Sequence, residues 1–103
     1  MQAEGAHVLA IYVNEVIVHT WDLATATGQH PTWHDADVEL ALAAIRRELP
    51  DADRTAMWEA VRSSLPAEVL AAAPWSDPFA NAVEVPDTAR PVERLVAWQG
   101  RRP

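Results

Sequence analysis

The stretch AHVLAIYVNEVIVHTWDLATATG, Ala6 to Gly28, decides the fold. No Gly or Pro interrupts Ala6 to Thr27, and the run closes on Gly28 followed by Pro31, the order in which a helix is stopped. Its β-branched residues Val8, Ile11, Val13, Val16, Ile17 and Val18 favour a strand, but the run far exceeds ordinary strand length and strict alternation is absent. One long helix is therefore expected. Apolar residues go nearly all the way round it, the pattern of a helix surrounded by others. Into this run the sequence sets Asn14, Glu15, His19 and Asp22.

Outward from that helix the elements are shorter. Asp35 can cap a helix to about Leu49, where Val38, Leu42, Ile45 and Leu49 recur at helical spacing before Pro50 stops it. Asp51 or Asp53 can cap RTAMWEAVRSSL, with Met57, Trp58, Val61 and Leu65 as its stripe, and Pro66 opens PAEVLAAA. PWSDPFANAVEVPDTARP reads as an ordered crossing with one strand candidate, Ala82 to Val85, before Pro91 begins a last helix ending near Gly100. The expected fold is a single, mainly all-α domain over residues 1–103, with one long core helix, shorter helices and one short strand that lacks a visible partner.

Composition narrows the function. A chain of 103 residues that is 50% hydrophobic supports one modest core. With 15 acidic residues against 8 basic ones, a net charge of -7 and scattered Arg, it is expected to bind neither nucleic acid nor membrane. Cysteine is absent, so disulfides, thiolate catalysis and sulfur-ligated zinc are excluded, and any metal must use His, Asp or Glu. The N-terminus has no secretory pattern, and a soluble, cytoplasmic protein is expected. Arg as the only strong base and 20 alanines fit a GC-rich bacterial genome.

Chemistry concentrates in the long helix. Glu15 and His19 are four apart, so their β-carbons lie roughly 5 to 6 Å apart on one face. A divalent metal takes oxygen or nitrogen donors at about 2.0 to 2.2 Å, and this pair fills two positions, leaving the others for a further ligand and water. Asp22 could accept a hydrogen bond from the ring nitrogen of His19 that is not on the metal. Spacing alone favours a plain intrahelical ion pair, with Asp22 and Thr20 solvated, over a metal site. His7, twelve residues earlier, stands roughly 18 Å up the axis and cannot join, while His30 and His34 lie beyond the helix end. Ser63, Ser64 and Ser76 carry no nucleophile signature, Trp58 and Trp98 fit helix stripes, and Trp21, Trp33 and Trp75 are candidates for lining a pocket or for ordinary packing.

NEVIVHTWDLATATGQ, Asn14 to Gln29, resembles the metal-binding helix of the DinB-like superfamily, in the mycothiol-dependent maleylpyruvate isomerase branch, whose members carry a similar E-x-x-x-H-T-W-D-L-A-x-A-T-G signature. FANAVEVPDTARPVERLVAWQGRRP, Phe79 to Pro103, resembles the tail of the same family, whereas Asp51 to Trp75 matches only in helical character. The resemblance implies a four-helix bundle holding a divalent metal, typically zinc, on three protein ligands. Two carry over to Glu15 and His19, with Asp22 beside them. The third, a histidine from the N-terminal half of the bundle, has no counterpart here, so the chain is expected to be a C-terminal portion with Met1 just before the last bundle helix. The implied function is metal activation of mycothiol or another low-molecular-weight thiol for isomerase or transferase chemistry in the complete fold. This chain alone is expected to be inactive. The alternative is a non-catalytic helical module that self-associates or pairs with a separate N-terminal half, where His7, His30 or His34 of the partner could complete a metal site.

Overall fold

The computed structural model describes residues 2–73 and 75–103. Met1, expected just before the last bundle helix, and Pro74, the first residue of the Pro-rich crossing, lie outside them. Five helices follow in order among the described residues: α1 (Gln2–Thr27), α2 (Asp35–Glu48), α3 (Arg54–Ser63), α4 (Ala67–Ala72) and α5 (Pro91–Trp98). The mainly helical class holds, and no helix among the described residues is long and apolar enough to cross a membrane.

Local chemistry accounts for several of the helix ends. Gly28 adopts φ 71°, and the Gln29 N–H reaches the Ala24 carbonyl at 2.8 Å while the Gly28 N–H reaches Thr25 at 3.4 Å, a Schellman closure of α1. Asp53 caps α3 by accepting the Thr55 N–H at 3.1 Å. Asp35, expected as a cap, is instead the first residue of α2, and His34 precedes it without a side-chain cap. There Asp35 and Asp37 act on the positive end of the helix dipole, with Arg46 and Arg47 at the negative end. Pro91 supplies the first turn of α5 with a residue that needs no amide partner.

The core lies between one face of α1, α2 and α5. Ile17 and Val18 meet Val38, Ala41, Leu42, Ile45 and Leu49 of α2, and Val92, Leu95 and Val96 of α5. A reciprocal amide pair ties α1 to α5 inside this core: Asn14 Nδ2 donates to Gln99 Oε1 at 2.9 Å, and Gln99 Nε2 donates back to Asn14 Oδ1 at 2.8 Å. Both residues are buried, so each amide satisfies groups that water cannot reach. The polar interruption at Asn14 is thus a core pin. In contrast, α4 buries no residue.

Two expectations change. Ala82 to Val85 forms no strand among the described residues; its contact with the fold is the Val83 N–H on the Ala97 carbonyl at 2.9 Å, at the end of α5. Without a second strand no ladder can form, and a helix-end carbonyl takes the amide instead. The surrounded core helix is also not realised. On the side of α1 away from α2 and α5, Val8, Leu9, Tyr12, Val16 and Leu23 are each more than half exposed. The Cα radius of gyration, 15.3 Å, exceeds the roughly 13 Å of a compact chain this long, as expected for a fold open on one side.

Candidate metal centre

Glu15 and His19 stand in the middle of that open side. The carboxylate Oε2 of Glu15 accepts from Nε2 of His19 at 3.1 Å, with side-chain exposures of 49% and 72%. Four residues make slightly more than one helical turn, which stacks the two side chains on one face without bending the backbone. At zinc-ligand lengths near 2.1 Å, two donors of a tetrahedral ion lie about 3.4 Å apart, so the observed separation needs only a few tenths of an ångström of opening to admit one. The donor set therefore fits two positions of a nitrogen and oxygen site. An exposed ion pair of this kind adds little to stability, so its placement is not explained by folding.

Asp22 is held elsewhere. Arg101 grips it with both arms, Nε to Oδ1 at 3.2 Å and Nη2 to Oδ2 at 2.9 Å. The reason is the turn after α5: Gly100, at φ 89°, closes a second Schellman motif through the Gly100 N–H on Ala97 and the Arg101 N–H on Val96, both at 3.0 Å. That closure aims Arg101 back at α1. Gly100 has no room for a side chain, since a Cβ there would meet Ala80 Cβ at 2.9 Å.

The other histidines do not converge on the pair. His7 Nε2 donates to Glu48 at 2.5 Å, while its Nδ1 accepts from Arg47 at 3.3 Å, so His7 fastens α1 to the end of α2. His30 borders a cleft of about 310 Å³ at the C-terminal end of α1, together with Trp21, Trp33, Arg90, Glu93 and Arg102. Two of the three tryptophans considered as pocket walls thus line this cleft, and Trp75 instead donates to Asp77 at 2.7 Å. Among the described residues no group of three or more His, Asp or Glu side chains is placed to hold a metal ion.

The residue that sequence reasoning missed is Arg54. It begins α3, yet it is fully buried and donates through Nη1 to the carbonyls of Ala80 at 2.7 Å and Trp98 at 2.6 Å, and through Nε to Pro50 at 3.2 Å. Its own N–H donates to Asn81 Oδ1 at 2.7 Å. Burial draws the guanidinium below its usual pKa, partly opposed by Asp51. Arg54 is thus the clamp that holds the crossing around Ala80 against α3 and α5. Trp58 and Trp98 reinforce it by donating to Phe79 at 2.8 Å and Leu49 at 2.9 Å. An Arg at a helix start carries no sequence signal of burial, because two of its three carbonyl partners, Ala80 and Trp98, come from distant segments.

The chain matches no protein-family model, no curated protein and no solved structure.

Proposed function

We propose that the chain is a divalent-metal-binding protein of DinB-like type, with Glu15 and His19 as two of the metal's ligands. The observation that carries this reading is the convergence of Glu15 Oε2 and His19 Nε2 at 3.1 Å on a solvent-open helix face. The signature Asn14 to Gln29 and the tail Phe79 to Pro103 support it by their likeness to that family. No third His, Asp or Glu among the described residues joins the pair, so the metal's remaining positions fall to groups from outside this chain. In a completed site the metal supplies Lewis acidity, which lowers the pKa of a bound small thiol such as mycothiol and suits isomerase or transferase chemistry. Asp22 stands apart from this pair and docks the tail on α1 through Arg101.

The experiment is zinc binding by chelator-stripped protein, measured calorimetrically for the native chain, His19→Ala and Glu15→Ala. The native chain is expected to bind, and each variant to lose at least tenfold in affinity. Equal zinc uptake by the native chain and His19→Ala overturns the ligand assignment.

A second reading is a non-catalytic helical module that pairs with another chain. The exposed row Val8, Leu9, Tyr12, Val16 and Leu23 favours it, since large apolar side chains gathered on one face mark an interaction surface.

A further inference from the structure

The open face of α1 is patterned. Leu9, Tyr12, Val16, His19, Leu23 and Ala26 follow one another at spacings of three and four, the seam of a two-helix coiled coil. Every one of these residues is exposed, and the buried residues Ala10, Asn14, Ile17 and Ala24 occupy the opposite side of the helix. A seam without a partner sits on a helix 26 residues long. The polar residue in that seam, His19, is one of the two converging donors.

We propose that two copies of the chain pair antiparallel through this face and that Glu15 and His19 of each converge on one shared divalent cation, giving four protein ligands from two chains. The inference rests on the reading of Glu15 and His19 as metal ligands and names where the missing ligands come from. An isologous two-fold pair requires that if residue i meets residue j, then j meets i. With the axis crossing α1 between Ile17 and Val18, Tyr12 lies against the partner's Leu23, Leu9 against the partner's Ala26, and Val16 against the partner's His19. Glu15 then lies within one residue of the level of the partner's His19, roughly 1.5 Å along the axis. Charge is complementary at the crossing, because each carboxylate faces an imidazole rather than a second carboxylate. Two imidazole nitrogens and two carboxylate oxygens form a complete tetrahedral set for zinc.

Surface area decides how much the metal must contribute. The four large apolar side chains of the seam, with Val8 beside them, present on the order of 500 Å², short of the roughly 800 Å² per partner typical of a stable interface. The seam alone therefore holds a weak pair, and the shared cation makes it a strong one.

The test is sedimentation equilibrium of the chelator-stripped full chain at micromolar concentration, with zinc ion alone titrated in, and calorimetry for stoichiometry. Zinc is expected to double the mass from 11.3 kDa with one ion per two chains, and to strengthen dimerisation at least tenfold. Leu9→Arg/Leu23→Arg places charge in the seam at side chains 63% and 65% exposed, so the fold measured by circular dichroism stays intact. This variant is expected to remain monomeric and to bind zinc at least tenfold more weakly, while His19→Ala removes the zinc-dependent step. One zinc per monomer, unchanged in Leu9→Arg/Leu23→Arg, overturns the shared site and leaves the Glu15 and His19 assignment standing. Dimerisation indifferent to zinc and to His19→Ala also overturns the shared site. No zinc uptake by the native chain overturns both.

Discussion

Replacing Arg54 with methionine tests the clamp that holds the Pro-rich crossing. The structure gives the guanidinium three hydrogen bonds to the carbonyls of Ala80, Trp98 and Pro50. Bonds from a charged donor contribute about 1.5 to 3 kcal/mol each, so the set is worth roughly 4 to 9 kcal/mol in gross terms. Against this stands the cost of burying the charge, several kcal/mol, raised here because Nη2 has no partner among the described residues. Methionine removes the bonds and the buried charge together, keeps most of the volume, and leaves the carbonyls without a donor. The expected net loss is about 2 to 4 kcal/mol, a large fraction of the roughly 5 to 15 kcal/mol available to a domain of this size. Urea denaturation followed by tryptophan fluorescence measures it directly, since Trp58 and Trp98 both donate to backbone carbonyls beside the clamp. A loss below about 1 kcal/mol would show that the desolvation cost cancels the bonds, and the clamp argument would fail.

Four further outcomes follow from the same geometry. Asn14→Leu orphans the buried Gln99 amide and is expected to cost about 1 to 3 kcal/mol, whereas Asn14→Leu/Gln99→Leu costs less than the sum of the single changes; additive losses in a denaturation cycle would contradict the reciprocal pair. Gly100→Ala meets both a positive φ and the Ala80 Cβ at 2.9 Å, so thermal unfolding should show a loss of more than about 1 kcal/mol. Glu15→Ala and His19→Ala change exposed groups and should leave stability within about 0.5 kcal/mol of the native chain while removing zinc binding. Asp22→Asn loosens the Arg101 contact and should speed proteolysis of the tail, with zinc affinity unchanged, because Asp22 contacts Arg101 and not His19.

Much of the helical layout is local and was legible. Gly28, Asp53, Pro66 and Pro91 act on the residues beside them through φ preference, side-chain capping or a missing amide, so their roles survive whatever packs around them. The pairing of Glu15 with His19 is equally local, one helical turn apart. The strand expected at Ala82 to Val85 carried its own warning in the sequence, because its composition suits a strand while no partner segment is visible, and without a ladder partner it does not form. Asp22 marks the limit of local reading: at three residues from His19 its spacing allowed a contact that a residue 79 positions away took instead.

The sequence by itself determined that α1 is long, that it stops at Gly28, and that a carboxylate and an imidazole share one of its faces. Only the tertiary structure decided which face. Apolar residues ring α1, so periodicity could not choose between its sides. The choice came from Asn14 meeting Gln99 across 85 residues and from Ile17 and Val18 meeting α2 and α5. That packing turns Glu15 and His19 outward, and a long-range amide pair thereby sets the exposure of a one-turn motif.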